Sequence, residues 1–161
     1  MDFPRLNFPA FTFRTRDKDG VVQIYDTFRR TWLVLTPEEW VRRNFLNWLT
    51  ECFGVLPEQI MQECPVLLEG MPQRADIAVY GRNARLMMIV ECKSWEVPLE
   101  RSGATGDAER KKTFAQAVRY NSVMKAPYVA ITNGLAHYCF SFDEATGEYV
   151  QLPEFPELAV K

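Results

Sequence analysis

"RADIAVYGRNARLMMIVECK", residues 74–93, decides how this chain folds. Arg74 to Tyr80 alternates polar and apolar, as a half-buried strand does. "LMMIVECK" follows, an apolar run from Leu86 that ends in Glu91 and Lys93. Between them, Gly81–Ala84 is a Gly- and Asn-containing turn, so the two strands are expected to pair antiparallel. Residues two apart on a strand share a face. Glu91 and Lys93 therefore point the same way, as Asp76 does with Ala78 and Tyr80. Antiparallel pairing sets the start of the first strand beside the end of the second. Two acids and an amine, Asp76, Glu91 and Lys93, converge at one edge of a sheet.

Two carboxylates a few ångströms apart raise each other's pKa unless a cation lies between them. Mg²⁺ suits such a place, because it takes one or two carboxylates and fills its other positions with water and substrate phosphate. Lys93 could orient or deprotonate a water there and screen developing negative charge. The competing reading is a structural ion pair with a spare acid, which buried pairs rarely reward with stability.

Working outward, "TPEE" is a helix start with Thr36 as N-cap, Pro37 at the first helical position and Glu39 completing a capping box. The helix should run to about Phe53, stop at Gly54, and bury Val41, Phe45, Trp48, Leu49 and Cys52. Before it, Phe11–Arg16 and Val21–Tyr25 read as a β-hairpin across "DKDG", and Thr31–Leu35 as a further strand. After it come a strand at Ile60–Leu68, a turn at "EGMPQ" and the two strands already described. A loop, Ser94–Gly106, is long enough to be functional or mobile. Asp107 then opens a helix to about Lys125. "YVAIT", Tyr128–Thr132, and "HYCFSF" are strands, and "GEYVQL" an edge strand. The pattern predicts one α/β sheet: three strands in a meander, a helical crossover and a returning strand.

The composition narrows the chemistry. The chain has 161 residues, 47% of them hydrophobic, which suits a single domain. The expected divisions are an N-terminal β extension at 1–35, a core at 36–142 and an acidic tail at 143–161. Net charge is −2, but the tail holds five acids and one base, leaving 18 bases against 16 acids before it. No apolar run reaches the roughly 20 residues of a membrane span, and no signal peptide is visible. A cytoplasmic protein with no membrane partner is expected. Cys52, Cys64, Cys92 and Cys139 form no Cys-x-x-Cys pair and read as reduced, mostly buried thiols. His137 is the only histidine, so a His-rich zinc site is excluded and a metal must rely on carboxylates.

Asp76 followed by Glu91-Cys92-Lys93 in a β-hairpin resembles the PD-(D/E)XK nuclease signature. "LTPEEWVRRNFLNWL", "RADIAVY", "IVECKSW", "FAQAVRYN" and "YVAITNG", in this order, resemble the N-terminal nuclease domain of type I restriction enzyme R subunits. The resemblance spans roughly residues 36–138. It implies a restriction-endonuclease-like αβββαβ core and Mg²⁺-dependent cleavage of DNA, with Mn²⁺ as a substitute. Asp76, Glu91 and the Cys92 carbonyl would hold the metal, and Lys93 would be the catalytic lysine. Gln116 and Tyr120 match the family's Gln-x-x-x-Tyr motif on one helical face. The first helix should lend an acid; Glu38 lies over the apolar stripe, whereas Glu39 is rotated away into the capping box. The family's proline before the aspartate is Ala75 here. R subunits carry a motor after this domain and these residues do not, so a protein partner supplying motor or specificity is expected.

The alternative is a non-catalytic nuclease-fold module that binds DNA or a protein. Glu63 reads as an edge-strand surface residue, His137 as a strand residue without chemistry, and Lys111, Lys112 and Arg119 as a solvated helix face.

Overall fold

Asp17 and Gly20 close the first turn, where the Gly20 N–H donates to Asp17 Oδ1 at 2.9 Å. On either side, β1 (Thr15–Lys18) and β2 (Val21–Asp26) pair antiparallel, and β3 (Thr31–Val34) adds to β2. The expected hairpin is thus a three-stranded sheet, and it begins at Thr15 rather than Phe11. Phe11 and Phe13 leave the ladder to pack on the first helix, where Phe13 meets Trp40 with ring centroids 5.1 Å apart. The computed structural model describes residues 2–158. Met1 and residues 159–161, the extremes of the extension and the acidic tail, lie outside the described residues.

The helix α1 spans Pro37–Phe53. Thr36 is extended, and its Oγ1 accepts the Glu39 N–H at 3.1 Å. The reciprocal half of the capping box does not form. The Thr36 N–H goes to the Val34 carbonyl, and the Glu39 carboxylate turns to Arg42 and Arg43. A charge-assisted pair outcompetes a neutral backbone donor. Gly54 ends the helix at φ +69°, a left-handed cap that glycine adopts without a Cβ clash.

The main sheet holds β4 (Ile60–Leu68), β5 (Met71–Tyr80), β6 (Leu86–Cys92), β7 (Tyr128–Thr132), β8 (His137–Asp143) and β9 (Glu148–Gln151), in that spatial order. All neighbours are antiparallel except β6 and β7. That parallel pair is joined by α2 (Ala104–Met124). The fold is mixed α/β. The β4–β5 turn is tighter than expected: Glu69 and Gly70 both have positive φ, and Met71–Gln73 belong to the strand. Helix α2 starts three residues before Asp107, because Gly106 packs against the loop. A Cβ there would collide with the Arg101 carbonyl.

Each face of the sheet carries one helix. Val41, Phe45 and Leu49 of α1 pack with Ile77, Val79, Met88 and Val90. Ala117 and Tyr120 of α2 pack with Ala78, Ile89, Val129 and Ile131 on the other face. Cys52 departs from the expected stripe and is exposed, while the other three cysteines are buried thiols. The segment before β1 lies across α1. Trp40 Nε1 donates to the Pro4 carbonyl at 3.0 Å, the Asn7 N–H donates to the Gly134 carbonyl at 2.8 Å, and Leu6 and Phe8 are buried. His137 Nε2 donates to the Asn7 carbonyl and its Nδ1 meets Thr132 Oγ1, each at 2.8 Å. Burial lowers the His137 pKa, so it is a neutral clamp for this segment.

Candidate active site

The register of β5 on β6, Ile77 opposite Val90 and Ala78 opposite Ile89, carries Asp76 to the level of Glu91 and Cys92. The Cys92 N–H donates to Asp76 Oδ2 at 2.7 Å. The Asp76 carboxylate stands close enough to Glu91 for its charge to raise the Glu91 pKa. Lys93 Nζ lies 3.3 Å from Glu91 Oε1 and donates to Gln116 Oε1 at 3.0 Å. The Gln116 amide in turn donates to the Tyr120 hydroxyl at 3.1 Å. One chain of polar contacts thus runs Glu91–Lys93–Gln116–Tyr120 towards α2, and Asp76 adjoins it through the Cys92 N–H. Glu91 with Lys93, and Gln116 with Tyr120, share faces as the strand alternation and the four-residue helical spacing demand.

Glu91 is 5% exposed. Burial, and then the Asp76 charge beside it, push its pKa up to about 8 despite Lys93. Burial also raises Asp76, outweighing Arg42, the Cys92 N–H and Lys93. A carboxyl pair in this state shares a proton at neutral pH, and a cation between them would displace it. Among the described residues no three His, Cys, Asp or Glu side chains are grouped to hold a metal ion. A pair of carboxylates is what remains, together with backbone carbonyls and water. That donor set fits Mg²⁺, which keeps several waters and needs only one or two carboxylates. Cys92 offers only its backbone, for its thiol is fully buried, and burial raises its pKa well above normal.

Of the two first-helix acids, Glu38 is nearer the site and Glu39 is the more buried. Burial and then the Asp76 charge raise the Glu38 pKa, while Arg42 and Lys93 pull it down. Its side chain remains 46% exposed, at the mouth of the site. Glu39, expected to rotate away, is 8% exposed, because the N-terminal sheet covers that side of α1.

Two residues were missed. Arg42, itself 7% exposed, bonds Asp76 Oδ1 at 3.2 Å, Glu39 Oε2 at 3.1 Å and Glu38 Oε1 at 3.4 Å. Its spacing of three and four from Glu39 and Glu38 was the available signal. Asn133 ties the long loop after β6 to the sheet: its Nδ2 donates to the Val97 carbonyl at 2.7 Å and to Glu100 Oε2 at 2.6 Å. Leu99 in that loop is fully buried, and Arg110 donates to its carbonyl at 2.6 Å. Glu63 does not reach the site. It stands at the level of Asp76 with φ +50° and pairs with Arg29 at 2.7 Å. Lys111, Lys112 and Arg119 are exposed. A surface concavity between Arg85, Met124 and Phe142 lies at the other end of β6 and is separate from this chemistry.

Residues 37–156 match the family described as type I restriction enzyme R protein N terminus. Among solved structures, one similar to this chain is a fragment assigned as an HsdR subunit of a type I restriction enzyme from Vibrio vulnificus YJ016, with TM-score 0.50 and 21% identity. The match covers 76% of this chain and 24% of that one, so this chain spans about a quarter of its length. At that identity the likeness speaks for the fold. No curated protein matches.

Proposed function

The chain belongs to the type I restriction enzyme R protein N-terminus family, and from that premise we propose that it is a Mg²⁺-dependent nuclease-like domain hydrolysing DNA phosphodiester bonds. The observation that carries this reading is the Asp76–Glu91 pair, a half-buried and a buried carboxyl close enough to raise the Glu91 pKa, with a lysine held beside them. The element order α1, β4, β5, β6, α2, β7 supports a restriction-endonuclease-like αβββαβ core. Within a single domain, residues 36–142 form that core, 1–35 the extension and 143–161 the acidic tail.

Asp76, Glu91 and the Cys92 carbonyl are the residues for Mg²⁺, with Mn²⁺ as substitute. When bound, the ion would supply an acidified water and offset charge on the phosphoryl group. Lys93 would orient or deprotonate the attacking water and neutralise charge on the phosphate oxygens. Gln116 fixes the Lys93 amine by accepting a hydrogen bond from it, and Tyr120 fixes Gln116 by accepting one from its amide. Glu38, at the mouth, would orient a water on the substrate side. The family name also supports a place in a multi-subunit restriction system, with a protein partner. Among the described residues no helix is long and apolar enough to cross a membrane.

A second reading has one observation in its favour. Arg42 already gives Asp76 a cationic partner at 3.2 Å, as a binding module without a metal would require. Supercoiled plasmid with Mg²⁺ or Mn²⁺ separates the two readings. The nuclease should nick it, and Lys93→Ala should lose on the order of 10²–10⁴-fold in rate, the usual weight of a positioned proton-transfer group. Equal trace nicking by wild type and variant, with calorimetry showing no divalent binding, selects the module.

A further inference from the structure

The N-terminal sheet has two faces of opposite character. Thr15, Ile24, Asp26 and Leu33 share its inner face, where Ile24 and Asp26 are fully buried. The outer face carries Arg16, Lys18, Val21, Gln23, Tyr25, Trp32 and Val34, by the pairing of the three strands and their alternation. Arg14 joins that face one step before β1, since its carbonyl accepts the Tyr25 N–H at 2.9 Å. Three bases therefore stand in a row with two aromatic rings and no acid.

The row is built rather than loose. The Arg14 guanidinium lies 4.5 Å from the Tyr25 ring centroid and 5.6 Å from that of Trp32. Arg16 lies 4.2 Å over Trp32, and its Nε donates to Gln23 Oε1 at 2.8 Å. The two rings meet at 5.1 Å. Stacking uses the flat face of a guanidinium and leaves its N–H edge free to donate. Among the described residues none of the three bases pairs with a carboxylate. The nearest acids, Asp17 and Asp19, sit on the inner face and in the turn, and Asp17 is taken by the Gly20 N–H.

We propose that this outer face of the N-terminal sheet, with Arg14, Arg16 and Lys18 stiffened by Tyr25 and Trp32, is a docking site for the phosphodiester backbone of duplex DNA. At about 3.4 Å per residue the three bases span about 13 Å, the axial length of about four phosphates of one strand. The rings are covered by the arginines, so the face offers charged forks rather than open stacking platforms, and it reads backbone rather than sequence. The site is separate from Asp76, Glu91 and Lys93. Its test runs with divalent ions chelated, so failure of the cleavage reading leaves it standing and the converse.

Fluorescence anisotropy with a labelled 20-base-pair duplex, titrated across a salt series, tests the proposal. Replacing Arg14, Arg16 and Lys18 by Gln should weaken binding at least roughly tenfold. It should also flatten the log–log salt slope by about 2.7, the release expected from three phosphates. Arg14→Lys with Arg16→Lys should retain the slope but lose several-fold in affinity, since ammonium groups do not stack as forks. Lys111→Gln with Lys112→Gln should change neither. If the triple variant is folded by circular dichroism and binds as wild type does, the proposal is wrong. It is also wrong if the Lys111/Lys112 variant is the one that loses binding, or if heparin binds through the three bases while duplex does not. Should the triple variant unfold, hydrogen exchange of the wild type decides: added duplex must protect residues 14–25, and unchanged exchange there overturns the site.

Discussion

Two clusters of buried charge adjoin α1, and they are balanced in opposite ways. Around Asp26 every acid meets an arginine. Arg43 Nη1 lies 2.7 Å and Arg29 Nε 2.6 Å from the Asp26 carboxylate, and Arg43 Nε lies 2.8 Å from Glu39. Burial would raise the Asp26 pKa, but Arg29 and Arg43 outweigh it and hold the pKa below normal. Around Glu91 the acids outnumber their partners, and the Glu91 pKa climbs to about 8. Arg42 touches both clusters, bonding Glu39 in the first and Asp76 in the second. The same residue types make a joint where charge is matched and a receptive site where it is not.

The strongest test of this contrast removes a matched charge. Arg43→Ala should cost about 3–5 kcal/mol in denaturant unfolding, the loss expected when one partner of a buried pair is deleted. A loss under about 1 kcal/mol would show that the Asp26 cluster is not the joint its geometry suggests.

Removing an unmatched charge should do the reverse. The Glu91 carboxyl holds its proton to about pH 8 in the fold, whereas an unfolded Glu releases it near 4.5. Between those values the folded state binds the extra proton, so unfolding free energy falls as pH rises, by up to about 1.4 kcal/mol per unit. Glu91→Gln should abolish that slope and stabilise the metal-free protein at pH 8 by on the order of 2 kcal/mol. Added Mg²⁺ should raise the melting temperature of the wild type but not of the variant. A wild type whose stability is flat from pH 5 to pH 8 breaks the contrast.

Arg42→Lys probes the bridge. It keeps the charge but loses the fork that reaches Asp76, Glu38 and Glu39 together, for a loss of about 1–2 kcal/mol. It should also steepen the pH slope, since Asp76 loses its guanidinium. Glu63→Ala is the smallest step. That carboxylate is 40% exposed at the outer end of the Asp26 cluster, and its loss should cost at most about 0.5 kcal/mol, less in high salt.

What could be read in the sequence was local. The ends of α1 follow from Thr36, Pro37 and Gly54, and the Asp76–Glu91–Lys93 edge follows from alternation and one turn. Gln116 and Tyr120 needed a family resemblance, because nothing in an Ala- and Lys-rich helix marks which face meets the lysine. The fate of Glu39 was misread for a related reason. A helical wheel reports rotation about an axis, not what lies beyond it, and the neighbour there is Asp26 of β2. Arg42 and Arg43 look like two solvated bases in "VRRN" until Asp76 and Asp26 arrive from distant strands. The earlier start of α2 depends on Gly106 touching Arg101, a close approach that no periodicity reveals.

The segment before β1 has a kinetic consequence. Asn7 bonds Gly134 and His137, so its place exists only once β7 and β8 have joined the sheet. During synthesis some 130 residues must emerge between the first partner and the last. Contacts of such sequence separation form late, because loop closure must precede any gain from them. Leu6 and Phe8 must therefore wait in water while the rest of the core assembles, and the step that covers α1 is the one that locks the ring of chain shut.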